Sequence, residues 1–398
     1  MNTLHTSKAA LAAILISSAG ANAADSLKLS RSYELTSTSA EYSSLLNESA
    51  LGDIKTTIQI QARYQYNKRD DAALGDNDTT MGFSMRRVKV GFEGKVTDNI
   101  SGKIKFAFSR GTGAAALEDA YGKWKINDDL TLKFGQFKQG LLREENISSS
   151  KQLASDRSAV NETFNQDFSQ GIELHFGGDA WRGLVGFTDG FGTDNTAFNS
   201  AAEADYALNA RVEFLFGDAS WSQFKQFTSF RGSAQGSMLG LGVAYQSMGN
   251  TNPTPTEAEM TTGTIDYSFL GDGWNFYLAG VWLNTDPAAG VSTDDYGIIA
   301  QGGLFVTDQD ELFARWDVVM ADESNAPADD DFNSLTFGWN HYIIPESHAA
   351  KFTLDINYYL DATSDNAIVS TSASGGHNLQ ASTEDGQVGI TAQMQILF

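Results

Sequence analysis

Residues 86–92, Arg86-Arg87-Val88-Lys89-Val90-Gly91-Phe92, and 103–108, Lys103-Ile104-Lys105-Phe106-Ala107-Phe108, alternate an apolar position with one that is repeatedly basic. The pattern continues through Lys123-Trp124-Lys125-Ile126 and Leu130-Thr131-Leu132-Lys133-Phe134. A period of two puts successive side chains on opposite faces of an extended chain, so this region reads as strands with one greasy and one cationic face. A soluble sheet buries the greasy face in a core. A transmembrane barrel turns it toward lipid and lines a wet lumen with the other face. Periodicity alone does not separate the two, and the remainder of the chain has to.

Outward from this stretch, strand patterns recur at 54–66, 82–96, 100–110, 117–126, 130–138, 170–176, 181–188 and 205–216. They go on at 238–248, 259–269, 274–284, 294–306, 311–320, 332–343, 351–360 and 387–398, an even count of sixteen. The connections at 97–99, 127–129, 177–180, 271–273, 307–310 and 345–350 are short and rich in Asp, Asn and Gly, as tight turns require. Between them fall long polar connections at 67–80, 139–169, 189–204, 249–258, 285–293, 321–331 and 361–386. Alternation of short and long connections along an antiparallel meander puts all turns at one end and all loops at the other. That is the pattern of an outer-membrane barrel and has no reason to arise in a soluble sandwich. The connection at 217–237 breaks the rule. It is long where a turn is due, and Trp221, Phe224, Phe227 and Phe230 at helix-like spacing predict a short helix at the barrel rim.

Composition agrees. Hydrophobic residues make up 41% and aromatics 11% of the 398 residues, too much for disorder, and no apolar run approaches the eighteen or so residues of a membrane-spanning helix. A closed barrel is the other structure that satisfies its backbone in lipid. At the N-terminus, Lys8 precedes the apolar stretch 9–16 and the small residues Ala21-Asn22-Ala23, which reads as a secretory signal peptide over 1–23. Residues 24–53 read as a periplasmic arm or short helix before a barrel at 54–398. The last segment alternates Val388, Ile390, Ala392, Met394 and Ile396 and ends on Phe398, resembling the terminal signal of outer-membrane barrels. The chain has no cysteine, which suits export without disulfides.

The net charge is −23, yet 18 of the 27 Lys and Arg lie in residues 55–157 against 13 Asp and Glu. Acidic loop tips more than roughly 8 Å from a constriction are screened in physiological saline, whereas charges inside a narrow lumen are not. With Ile58, Ile60, Val88, Val90, Ile104, Phe106, Trp124 and Leu132 toward lipid, parity turns Arg63, Arg87, Lys89, Lys103, Lys105, Lys123, Lys125 and Lys133 toward water. These predict successive weak anion sites along a pore. The alternative is that the same cations are paired with carboxylates such as Glu93 and Asp119 and line a pore of general diffusion.

The segment Arg86-Arg87-Val88-Lys89-Val90-Gly91-Phe92-Glu93-Gly94 resembles the second-strand motif of the phosphate-selective porin O/P family. Leu117-Glu118-Asp119-Ala120-Tyr121 leading to Phe134-Gly135-Gln136-Phe137-Lys138, Asp156-Arg157-Ser158, and Phe227-Thr228-Ser229-Phe230-Arg231-Gly232 resemble further family segments. The likeness covers the chain from about residue 54 to its end. It implies a transmembrane antiparallel barrel of about sixteen strands, a homotrimer in the outer membrane of a Gram-negative bacterium among lipid and lipopolysaccharide, with the long third loop 139–169 folded into the lumen. That loop would then bring Arg143, Lys151 and Arg157 to the pore. The expected function is passive passage of small anions, with phosphate or polyphosphate as candidates. Where the family leads one to expect a basic residue before Gly171, this chain has Asp167-Phe168-Ser169-Gln170.

Other classes find little in the residues. There is no Gly-x-Ser-x-Gly elbow, no His-Glu-x-x-His and no phosphate loop. No enzymatic activity, cofactor, metal or nucleic-acid partner is expected.

Overall fold

The computed structural model describes residues 54–398 apart from 70–77, 199, 201–202, 249–257, 325–330 and 370–378. The expected signal peptide and arm lie outside the described residues.

Sixteen antiparallel strands follow one another around a single closed sheet. They are β1 (Lys55–Lys68), β2 (Thr79–Thr97), β3 (Ile100–Phe108), β4 (Ala115–Lys125), β5 (Leu130–Lys138), β6 (Phe168–Gly177), β7 (Trp181–Thr188) and β8 (Ala204–Gly217). The second half is β9 (Gly236–Met248), β10 (Ala258–Gly271), β11 (Trp274–Pro287), β12 (Thr293–Phe305), β13 (Asp310–Met320), β14 (Asp331–Tyr342), β15 (Ala350–Tyr359) and β16 (Gln387–Leu397). Each pairs with its neighbours in sequence, and β1 closes on β16 in a register that sets Arg63 opposite Gln393. The closure extends to the last residue: Ile58 N–H donates to the Phe398 carbonyl at 2.6 Å, and Phe398 N–H returns a bond of 3.0 Å. All sixteen expected strands form, and alternating parity holds along them except where the register shifts, as between Gln61 and Ala62 of β1 against β2.

Burial is inverted relative to a soluble protein. In β1 the buried set is Gln59, Gln61, Arg63, Gln65 and Asn67, and in β16 it includes Gln387, Thr391, Gln393 and Gln395. The apolar alternates are the exposed ones: Ile104 at 46%, Trp124 at 48% and Phe337 at 55%. A continuous apolar exterior over a polar interior is stable only where the exterior meets hydrocarbon.

The connection 217–237 is not the expected helix. Its single helical feature is a 3-10 turn at Gln223–Lys225. The three phenylalanines do not share a helix face because each enters a different cluster. Phe224 packs with Met238 and Leu270, Phe227 joins Tyr277 under the long loop, and Phe230 stacks among Phe305 and Tyr342. An extended path delivers them in turn, held by Ser229 Oγ donating to the Gly271 carbonyl at 2.6 Å.

Gly135 in β5 has φ of 121°, a backbone state L side chains rarely adopt, and a Cβ there would run into the Ala120 carbonyl of β4. Gly135→Ala is expected to cost about 1–3 kcal/mol and to lower the temperature at which the folded barrel loses its compact gel mobility. Gly82→Ala, with nothing within 4 Å of its Cβ, should leave that temperature in place.

Candidate functional site

The segment 139–169 is built of two short helices, α1 (Arg143–Asn146) and α2 (Ala159–Phe164), with a 3-10 turn at Ser149–Lys151 between them. Ser158 starts α2: its hydroxyl accepts from Asn161 N–H at 3.0 Å and donates to Glu144 Oε2 at 2.6 Å. This cap ties the two helices into one body. Leu141, Leu142, Ile147, Leu153, Val160 and Phe164 are all at most 5% exposed and pack on inward side chains of β9 to β15, among them Tyr277, Val281, Ile299, Val319, Phe332 and Tyr359.

The segment's backbone polar groups find partners on the same inner walls, as buried groups must. Ser155 N–H donates to Asp355 at 2.7 Å and Ala159 N–H to Asp317 at 2.8 Å. The Leu153 carbonyl accepts from Asn340 at 3.0 Å, that of Gln152 from Lys351 at 2.9 Å and that of Ser150 from Gln395 at 3.0 Å. The segment thus rests on buried side chains of β9 to β16, charged ones such as Arg315, Asp317 and Asp355 among them, and its Asp156 reaches β1 and β2.

On that charged face the expected residues come together in clusters that share carboxylates. Arg63 and Arg87 both reach Asp156, at 2.6 and 3.1 Å. Lys89 and Lys105 grip the two oxygens of Glu118 at 2.5 and 2.7 Å. Lys103 pairs with Asp119 at 2.8 Å and Lys133 with Glu173 at 3.0 Å. Arg157 shares Glu145 with Lys138. Lys125 lies at the end of β4 and pairs with Asp128 of the exposed turn at 2.6 Å. Arg143 is buried under the loop, donating to Ser268 Oγ at 2.7 Å with its guanidinium near the rings of Phe224 and Phe227. Among the described residues Lys123 and Lys151 form no ion pair. Lys123 stands over the Tyr121 ring at 5.4 Å.

Arg86 belongs to the first cluster as well, its Nε 2.8 Å from Asp156. Strict alternation assigns it to lipid. The register shifts between Gln61 and Ala62 of β1, so Gln61 faces Arg87, Ala62 faces Met85, and Arg86 is the extra residue of a bulge that turns it inward. A β-bulge leaves no sequence mark here beyond the doubled arginine.

Below the loop a cavity of about 630 Å³ opens on the inner face of β3 to β8. Its cations include Lys103, Lys123, Lys133, Lys151, Arg182 and Lys225, against the carboxylates Glu173 and Glu213. Burial, and after it the nearby Lys225 and Lys55, hold the Lys151 ammonium below its ordinary range. Burial alone would push the Asp156 carboxyl up, but Arg63, Arg86 and Arg87 together outweigh it and hold the group well below the usual carboxylate range.

A closed antiparallel barrel with an apolar exterior and a polar, charged interior is the architecture of an outer-membrane channel. The model of the family described as phosphate-selective porin O and P matches residues 54–266, just over half of the chain, and the chain belongs to that family. It is accordingly a protein of the Gram-negative outer membrane. Solved structures share the fold. The anion-selective porin from Comamonas acidovorans aligns at a TM-score of 0.61 and 10% identity over 87% of this chain and 99% of that one. OprB of Pseudomonas putida gives 0.57 and 10% over 90% and 97%, and OmpT of Vibrio cholerae 0.56 and 13% over 87% and 97%. No curated protein matches the chain.

Asp167 closes the loop segment at a φ of 49°. Burial, reinforced by Glu145 and Asp194 against the opposing Lys138, pushes its carboxyl up to about 6. A folded-state value above the ordinary ~3.9 means that the folded chain takes up the proton first, so this group's contribution to stability grows as pH falls from about 6 to 4 and is lost as pH rises. Wild type is expected to gain thermal stability relative to Asp167→Asn between pH 7 and pH 5, a difference that melting curves at the two pH values would read.

Proposed function

We propose that this porin conducts small anions through the charged half of its lumen, with phosphate-like oxyanions within its range. The observation that carries the reading is the sharing of carboxylates. Three guanidinium groups divide Asp156, two ammonium groups divide Glu118, and Lys123, Lys151 and Lys225 have no ion pair among the described residues. Each cluster thus leaves positive charge over, in a lumen where the effective dielectric is below that of water and a unit pair at 4 Å interacts by about 4 kcal/mol. Shared, partly neutralised sites attract an anion without trapping it.

The loop 139–169 forms the constriction by filling the half of the interior lined by β9 to β15, and the long connections face outward. The anion-selective porin from Comamonas acidovorans shares the fold, and one OmpT structure from Vibrio cholerae is described as a trimer form. By that analogy this chain assembles as a homotrimer, its apolar exterior against lipid and lipopolysaccharide. Residues 1–23 serve as a cleaved signal, followed by 24–53 as a periplasmic arm or short helix.

The one-to-one pair Lys103–Asp119 favours a second reading, a general-diffusion pore for small hydrophilic solutes. Zero-current potential in a KCl gradient separates the two. The wild-type potential should favour chloride, and Lys123→Glu with Lys151→Glu should move it toward potassium. A wild-type channel already selective for potassium would sink the anion reading. Deleting residues 146–156 should raise single-channel conductance, and an unchanged conductance would remove the loop from the pore.

A further inference from the structure

On the inner face of β3 to β5, side chains meet in a way that charge alone opposes. The register sets Lys123 of β4 directly opposite Lys133 of β5. Lys103 of β3 lies opposite Tyr121, two places from Lys123 on the same face of β4. Like charges directly opposite across a strand pair repel. Lys103 has Asp119 and Lys133 has Glu173, but Lys123 has no ion pair among the described residues. Glu93, opposite Lys103 on β2, likewise enters no ion pair among them.

The three ammonium groups share one ring. The Nζ atoms of Lys103, Lys123 and Lys133 stand 5.7, 5.4 and 5.2 Å from the centroid of Tyr121. All three lie within the ~6 Å at which the negative face of an aromatic ring attracts a cation. A second ring extends the arrangement: Phe137 lies edge-on to Tyr121 at 6.4 Å, and the Lys133 ammonium is 3.8 Å from its centroid. Gly135, opposite Tyr121 on β5, has no side chain to compete for this space.

A carboxylate in the place of Tyr121 would hold the lysines by cancelling one charge. A ring holds them through its quadrupole and cancels none. We infer that Tyr121 is a positioning residue for permeation, an uncharged hub that keeps Lys103, Lys123 and Lys133 together at the wall of the cavity with their charge intact. The inference rests on the anion-conducting reading. It adds the physical means by which this cluster, unlike those at Asp156 and Glu118, keeps a lysine that no carboxylate holds.

The zero-current potential of the full-length channel in a KCl gradient tests it. Tyr121→Phe keeps the ring and should leave the chloride-to-potassium permeability ratio at its wild-type value, while Tyr121→Leu should lower that ratio at least about twofold. The same Tyr121→Leu change made in Lys123→Met should have less effect than in wild type, because the ring acts through that ammonium. An equal loss in Tyr121→Phe and Tyr121→Leu, or an effect of Tyr121→Leu undiminished in Lys123→Met, overturns the inference. A Tyr121→Leu channel with the wild-type ratio overturns it too, and a lowered melting temperature would then mark Tyr121 as packing alone. Should Tyr121→Leu not assemble, Tyr121→Phe compared with pentafluorophenylalanine at position 121 decides, since fluorination reverses the ring's charge distribution at nearly constant size; equal ratios overturn the inference. A wild-type channel selective for potassium sinks the proposed function. If Tyr121→Leu then shifts that channel further toward potassium while Tyr121→Phe does not, the positioning role of the ring stands.

Discussion

Every backbone N–H and C=O that enters hydrocarbon must find its partner within the protein, and a sheet meets that demand only when it has no edge. The pairing of β1 with β16, carried to Phe398 by two bonds with Ile58, removes the edge here. Once the sheet is closed, each strand has an inside and an outside, and side-chain parity decides which residues meet lipid and which meet water. The apolar exterior and the polar lining are two readings of one alternation, fixed by the register of closure.

That dependence explains what the sequence made legible. Strands were readable because parity is a local property: Val88 against Lys89, Ile104 against Lys105 and Trp124 against Lys123 each declare two faces without reference to any distant residue. The alternating lengths of the connections then gave the closed meander. Arg86 was unreadable because its direction depends on a bulge defined by pairing with β1, not by its own neighbours. The path of 217–237 was unreadable for a similar reason. Its phenylalanine spacing suits a helix, yet three separate acceptor clusters on the barrel wall draw the chain out.

The division of the lumen had a signal that parity hides. In β11, Tyr277, Ala279 and Val281 point inward while Leu278 and Trp282 point outward, so both faces are apolar. A strand apolar on both faces is covered on both; one cover is lipid, and the other has to be protein. Leu141, Val160 and Phe164 of the long loop supply it. The cationic strands meet the same loop through charge instead, Arg63, Arg86 and Arg87 at Asp156 and Lys138 at Glu145.

The two kinds of cation along the charged arc suit two tasks. Guanidinium is planar, weakly hydrated and able to hold an acceptor through several fixed donors, and the arginines gather at Asp156, where a loop must be kept in place. Ammonium is a strongly hydrated point charge on a flexible stem, and the lysines gather at Glu118 and around the cavity below, where side chains share a carboxylate or stand unpaired among the described residues. Both clusters leave cationic charge over, the arginines held rigidly and the lysines loosely. Lys and Arg outnumber Asp and Glu in residues 55–157, whereas beyond them acidic side chains such as Asp266, Glu311, Asp317 and Asp355 are buried along β10, β13 and β15. Within a Debye length it is the near charges of each cluster, and not the net charge of the chain, that decide the local field.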